Sequence, residues 1–394
     1  MPPMLIWMEP DCDFMILPAL VALLLVQGSG SVYSYNLSIM VVNGGAAIDC
    51  TNEYSPCHAL LNQNIFKNSS GQTAVIESVT MNGADVPWEI KTDPDGNPVI
   101  KIIAADPILP NRNATVVMRF RINIDRSPPE VDPALSGTLA EIPPQLKAMY
   151  PLTGIWDPSG LEDPDEVFGL AESIRAGEDN VLLILRNLII WFEENMVYSY
   201  NNTTPQTVWK TYKGLSGDCD DQANLFVLFC RIYGIPAYTA IGPIYMPGQE
   251  RSDSDHNLHF HTKDVGWHGW AMVYVPSRVG DGNWVPVDLT YFQGGVQRGG
   301  HIVSADWRQH ILGAALYWRD TAVFIEYKNY DHISEYARMR DAIISSDCLW
   351  VESHQMSPVV GPAYAEFLSP PILVALVASA ALLAFSVWIL WRRR

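Results

Sequence analysis

Residues 214–238 read GLSGDCDDQANLFVLFCRIYGIPAY. The pattern predicts one buried helix. Gly217 permits a tight entry, Asp218 can cap, and Asp220 and Asp221 fall in the first turn, where negative charge complements the helix dipole. Leu225 to Phe229 are apolar on all sides, which places the helix inside a domain. Gly234 ends the helix and Pro236 bars its continuation. Cys219 therefore sits on the first turn, where unpaired backbone N–H groups favour a thiolate and can hold an oxyanion. Its aspartate neighbours act against the thiolate only as far as their carboxylates approach the sulfur. Adjacent helical residues diverge by about 100°, which leaves room for Asp220 and Asp221 to point away.

A thiol nucleophile needs a base, and the base needs an orienting group. GWHGWAMVYVP (266–276) sets His268 just before a predicted strand, and NWVPVDLTY (283–291) sets Asp288 at the end of the next. VGDGNW joins them and is a hairpin signal. His268 follows Cys219 by 49 residues, and Asp288 follows His268 by 20. Alone, Cys219 reads as a structural cysteine, His268 as a core histidine and Asp288 as a strand-end cap. Together they form a Cys-His-Asp constellation, with the two partners on neighbouring strands.

GDCDDQANLFVLFCRIYGIPAYTAIG, HGWAMVYVP and WVPVDLTY, taken together, resemble the core of the transglutaminase-like superfamily in its prokaryotic form. The resemblance spans residues 179–291 and includes the segment RIYGIPAY after the nucleophile helix. It implies a papain-like fold with Cys219 as nucleophile, His268 as general base and acid, and Asp288 as orienting carboxylate. It also implies an upstream side chain as oxyanion donor, for which Tyr198 in ENMVYSY and Trp209 are the candidates. The chain departs from animal transglutaminases, in which Trp follows the cysteine; here it is Asp220. That departure weighs against protein crosslinking.

The expected fold class is α+β: a papain-like core of helices packed on an antiparallel sheet, preceded by a β-sandwich-like domain and followed by a C-terminal transmembrane helix. YSYNLSIMVV, TAVIESVTMNG, NPVIKIIAA and ATVVMRFRINI read as strands of the sandwich over 32–127, and DRSPPEVDPALSG reads as a linker over 128–138. The catalytic domain is placed at 139–368. EDPDEVFGLAESIRAG and DNVLLILRNLIIWFEENM open it as helices, with Asp and Asn as caps. TAVFIEYKNY reads as a strand and DHISEYARMRDAIISSD as a helix near its end.

Net charge is −18 with no long basic run, which excludes nucleic-acid binding as the main role. Ile372 to Trp391 is 20 residues without a charge, enough to span about 30 Å of hydrocarbon. Trp388 and Trp391 stand near its far boundary, and Arg392, Arg393 and Arg394 follow. The expectation is one anchor over 369–394 in the plasma membrane, tail in the cytoplasm and catalytic domain outside. Residues 1–31 resemble a secretory leader through the apolar run Phe14 to Val26. Glu9, Asp11 and Asp13 precede that run where basic residues are expected. Translation from Met15 would explain them, and so would an uncleaved second anchor. Sequons at Asn36, Asn68, Asn113, Asn201 and Asn202 agree with export. In an oxidising compartment Cys50 and Cys57, across CTNEYSPC, suit a local disulfide, or else lie unpaired in a loop. Cys230 reads as core, and is the one partner available to Cys348 by guess.

SDHNLHFHTKDVGWH supplies His256, His259, His261 and His268. His259 and His261 would share a face of a strand, and Asp255 or Asp264 could join them around a metal. The spacing matches no helical histidine pair, so the segment is read as a polar loop bordering the site, with neither metal nor cofactor required. The resulting expectation is a membrane-anchored thiol enzyme that cleaves or transfers amide acyl groups of a protein, peptide or cell-envelope substrate, with hydrolysis ahead of crosslinking. The alternative is a non-catalytic surface module carrying a relic triad.

Overall fold

The computed structural model describes residues 31–359 except 105, 127–128, 162, 201–204, 292–295 and 318–320. In chain order, the elements that place the site begin with strands β1 (Ser31–Asn43), β2 (Gln72–Met81) and β3 (Asn113–Ile124). Helices α1 (Pro164–Arg175), α2 (Val181–Asn195), α3 (Val208–Gly214) and α4 (Cys219–Ile232) follow. Then come β4 (Ala237–Asp255), β5 (Leu258–Val275), β6 (Asn283–Val287), α5 (Gln309–Tyr317), β7 (Ile325–Tyr327), α6 (His332–Ile344) and β8 (Cys348–Pro358).

One nine-stranded sheet runs through the chain in the order β7, β4, β5, β8, β1, β3, β2 and a two-residue edge strand, Ala84–Asp85. β6 pairs beside β5 off this path. The first half of β5 pairs in parallel with β8, from Leu258↔Trp350 to Lys263↔Gln355. Its second half pairs antiparallel with β6, from Ala271↔Val287 to Val275↔Asn283. α4 packs across β4 and β5, and α2 packs against α4 through Trp191, Phe192, Phe226 and Phe229, whose rings meet edge to face.

The helices start where capping side chains allow. Asn180 accepts the Leu183 N–H at the head of α2, and Asp163 accepts the Asp165 N–H at the head of α1. Gly234 turns left-handed at φ +72° after α4, and Ile235 N–H closes the exit on Cys230 O at 2.8 Å. Arg231 anchors this exit from a buried position. Its guanidinium donates to the carbonyls of Ala237 (2.9 Å) and Pro151 (2.7 Å) and lies 3.8 Å over the Trp156 ring. Burial lowers it to about 9.

Residues 32–127 hold two layers of strands. β1, β2 and β3 face a small sheet of Asn62–Asn64, Pro98–Ile102 and Trp88–Thr92, with Tyr35, Phe120, Ile100 and Ile102 buried between them. The larger layer does not stop at the linker, because β8 pairs with the second edge of β1 along its length, from Tyr33↔Pro358 to Asn43↔Cys348. An edge strand left bare would expose its row of N–H and C=O groups, and the C-terminal strand covers it.

The segment read as a polar loop is a β-ribbon: β4 and β5 continue as a paired hairpin from Glu250↔Lys263 to Asp255↔Leu258 after a bulge beyond Tyr245. Cys50 and Cys57 form a disulfide. Cys230 and Cys348 are both free thiols, so the guessed pairing between them is not made. The leader and the expected C-terminal membrane helix lie outside the described residues. Among the described residues no helix is long and apolar enough to cross a membrane.

Candidate active site

α4 starts on Cys219. Asp218 holds the cap position in extended backbone, and the Asp221 carboxylate reaches back to the Asp218 N–H at 3.3 Å. Gln206 fixes Asp221 in turn, with its backbone N–H at 2.7 Å and its side-chain amide at 2.8 Å. Gly217 leaves this turn its space, since a Cβ there would stand 2.5 Å from the Asp221 Cβ. Cys219 is half-buried at the head of the helix.

β5 crosses directly over this turn. A Cβ on Gly269 would meet Asp220 Cβ at 2.8 Å and Asp220 Cα at 3.0 Å, so only glycine lets strand and helix approach so closely. His268 precedes Gly269 and lies opposite Gly242 of β4. Asp288 follows the last residue of β6. His268 Nε2 meets Asp288 Oδ2 at 2.6 Å, with the two side chains 6% and 1% exposed. A carboxylate oxygen accepts, so Nε2 carries the hydrogen and Nδ1 is left as the basic nitrogen. Asp288 Oδ1 accepts the N–H groups of Thr290 (2.8 Å) and Tyr291 (2.9 Å). The Tyr291 ring closes edge-on over His268 at 5.7 Å, and Trp270 lies nearly parallel at 6.1 Å.

Burial pushes the Cys219 thiol well up, and the charges of Asp220 and Asp218 push it further. The Gly269 N–H, hydrogen-bonded to the sulfur, acts in the opposite direction. Asp220 does not point away: its Oδ1 is 3.8 Å from Cys219 Sγ. The strand over the helix start confines the Asp220 side chain to the sulfur's side. Burial, then Asp221, raises the Asp220 carboxyl as well. The reading that Asp220 could point away is therefore corrected, and desolvation and two nearby carboxyls oppose the thiolate that the helix start favours. Asp218, Cys219 and Asp220 bring their ligating atoms within 4.8 Å of one another, and such a set could hold a cation.

The two oxyanion candidates part company. Tyr198 is in a two-residue strand paired in parallel with Ser216–Gly217, immediately before Asp218. Burial and then the charges of Cys219, Asp218 and Asp220 push its hydroxyl up to about 12, with Arg251 opposing. Tyr198 thus lies within electrostatic reach of Cys219. Trp209, on α3, donates its indole N–H to Asp157 O at 3.0 Å, so that donor is committed elsewhere. Of the ribbon histidines, His256 meets Asp255 at 2.8 Å and His261 meets Ser252 at 2.9 Å. A cavity of about 260 Å³ opens on the ribbon beside Asn36, Arg251, His261 and Lys263; Cys219, His268 and Asp288 do not line it.

Residues 169–289 match the family model of the transglutaminase-like superfamily. Over that segment the chain is similar to a transglutaminase-like core. Its α+β fold, with helices against a curled sheet, is that of the family. Three solved structures are similar in outline. A candidate cysteine protease from Cytophaga hutchinsonii is 12% identical with a TM-score of 0.48, over 85% of this chain and 92% of that one. The periplasmic domain of TgpA from Pseudomonas aeruginosa, bound to ethylmercury, is 13% identical with a TM-score of 0.30, over 69% and 93%. A candidate protease from Parabacteroides distasonis is 10% identical with a TM-score of 0.23, over 64% and 63%. No curated protein matches the chain.

Behind Asp288 lie residues that the sequence did not disclose. The His310 ring touches Asp288 O through Nδ1 and Glu193 Oε1 through Nε2, both at 2.7 Å. Glu193 also accepts from Ser304, from N–H at 2.8 Å and from Oγ–H at 3.0 Å. Two hints were in view: Glu193 is an acid directly after the apolar run LIIWF of its helix, and His310 opens the apolar run HILGAALY. Neither hint names a partner 117 residues away.

Proposed function

We propose that this protein is a thiol hydrolase acting on amide or peptide bonds, with Cys219 as nucleophile, His268 as general base and acid and Asp288 as orienting carboxylate. The single observation that carries this reading is the buried 2.6 Å contact of His268 with Asp288 on the strand whose Gly269 rests on the first turn holding Cys219. In the proposed reaction Cys219 stays a thiol until a carbonyl arrives. His268 Nδ1 then takes the thiol proton as Sγ bonds to the carbonyl carbon. The oxyanion faces the Cys219 N–H and the Tyr198 hydroxyl. Collapse breaks the C–N bond, and the amine leaves with the proton from His268. Water, deprotonated by the same ring, then hydrolyses the thioester. Asp220 in the place of the crosslinking enzymes' Trp favours water as acceptor over a protein amine.

The test is labelling by an activity probe that carries a thiol-reactive amide. Wild type is expected to be labelled and Cys219→Ala not; equal labelling removes the nucleophile from the scheme. A second reading, a non-catalytic surface module, is favoured by one observation, the raising of the thiol by burial, Asp220 and Asp218. It predicts an alkylation rate that follows the ordinary thiol titration and is the same in His268→Ala.

The proposed site of action is extracytoplasmic, with the chain anchored through residues 372–391, and the proposed substrate is a protein, peptide or cell-envelope amide. The apolar run and its terminal arginines support the anchor. A full chain released from membranes only by detergent, with a chain ending at residue 368 recovered in the aqueous fraction, is the expected result. Equal partitioning of the two removes the anchor.

A further inference from the structure

We propose that His310 and Glu193 are positioning residues that hold Asp288 in register for His268, an inference that rests on the thiol-hydrolase reading. The β5–β6 ladder ends at Ala271↔Val287, so Asp288 lies one residue beyond the last strand pair. Its main chain is held instead by His310. Asp288 N–H donates to His310 O at 2.9 Å, and the His310 ring returns a bond from Nδ1 to Asp288 O at 2.7 Å. The exchange resembles a ladder pair in which an imidazole replaces one backbone donor. A carbonyl oxygen only accepts, so Nδ1 carries a hydrogen.

Nε2 faces Glu193 Oε1, and the same oxygen takes two bonds from Ser304. The His310 ring and the Ser304 N–H converge on one oxygen and favour the Glu193 carboxylate, while the single hydroxyl hydrogen of Ser304 is shared with Asp306 O at 2.8 Å. Burial opposes this, but the bonds from His310 and Ser304 outweigh it and keep the carboxyl low. His310 thus bridges Asp288 O and Glu193 Oε1. Its side chain is 1% exposed and Glu193's is 15% exposed, so water competes little for either bond. The pair carries the position of α2 to the backbone of Asp288. The Asp288 carboxylate has one oxygen on the Thr290 and Tyr291 N–H groups and the other on His268, so a shift of its backbone moves the base. Neither Glu193 nor His310 touches the reacting atoms in this scheme; both act through Asp288.

The experiment measures alkylation of Cys219 by iodoacetamide against pH, together with thermal unfolding, in the whole chain. His310→Gln and Glu193→Gln are compared with wild type, His268→Ala and Asp288→Asn. In His310→Gln the His268-dependent limb of the profile is expected to weaken by about tenfold to a hundredfold at neutral pH, as small misplacements of a catalytic group do. Glu193→Gln keeps an acceptor oxygen and is expected to lose less, while Glu193→Ala approaches the His310→Gln profile. That order, in variants that still unfold cooperatively, supports the proposal; if His310→Gln does not fold, the two Glu193 variants carry the same comparison. A wild-type profile in a folded His310→Gln or Glu193→Ala overturns it, as does a loss of unfolding temperature with no change in profile. If His268→Ala and Asp288→Asn also keep the wild-type profile, the thiol-hydrolase reading falls and this one with it. If those two change while the Glu193 and His310 variants do not, only the positioning role is lost.

Discussion

Cys219 is a thiol opposed by its own neighbours. Burial, Asp220 and Asp218 all favour its protonated form, and the Gly269 N–H acts on the other side. Removing the Asp220 charge should therefore lower the thiol's pKa. Asp220→Asn is expected to move it down and to raise neutral-pH alkylation about tenfold, as followed by mass spectrometry. A slower rate would mean that Asp220 supports the site in another way. Tyr198→Phe is expected to lower turnover about 100-fold, in the range of a lost oxyanion donor, while Trp209→Phe changes it little. Steady-state kinetics on any peptide amide that the wild type cleaves gives the comparison. The places of Cys219, His268 and Asp288 in the fold were legible because each occupies a motif whose spacing fixes its element. The charge relation of Asp220 to Cys219 was not, because a helix start alone lets the carboxylate point away. The strand that prevents this arrives some fifty residues later in the chain.

At the scale of elements, the approach of β5 to α4 depends on Gly269. Gly269→Ala would put a Cβ 2.8 Å from Asp220 Cβ. The expected cost is about 1–3 kcal/mol in chemical denaturation, with loss of activity because His268 moves with the strand. A variant of wild-type stability and activity would show that the contact relaxes freely. Helices were legible from their ends: Asn180, Asp163 and Asp331 cap as their residue types suggest. The ribbon was not legible, because Glu250, Ser252 and Ser254 pair with Lys263, His261 and His259. The arm ERSDSD (250–255) is polar at every position and shows no period-two hydropathy, although Leu258 and Phe260 alternate with His259 and His261 on the other arm. What makes it a strand is pairing with β8, a partner that the sequence does not announce.

At the scale of the molecule, Asp95 joins the two ends of the chain. It sits in the turn DPDGN and accepts His332 Nε2 at 2.9 Å, with the N–H groups of Lys328 (2.8 Å) and Asn329 (2.9 Å). Burial would raise its carboxyl, but these bonds outweigh it and bring it down to about 2. A depressed carboxyl gives stability that is full above its unfolded pKa near 3.8 and is lost as pH falls through about 2. The amount is about 2 kcal/mol, so Asp95→Asn should flatten the fall of unfolding temperature between pH 4 and pH 2 while lowering it at neutral pH. An unchanged slope would place the acid sensitivity elsewhere.

β8 is the last described element of the chain, yet it lies in the middle of the sheet, with β1 on one side and β5 on the other. Tyr35 and His354, hydrogen-bonded across that seam, stand 319 residues apart in sequence. During synthesis β1 and the ribbon must therefore both wait, edges open, for a strand made at the end. A chain halted before residue 348 would present two unpaired strand edges at once, the surface on which chains pair with one another. Vectorial folding of this protein is thus a matter of holding the first strand out of trouble until the last one arrives, and its yield should depend on whatever shields nascent edges in the cell.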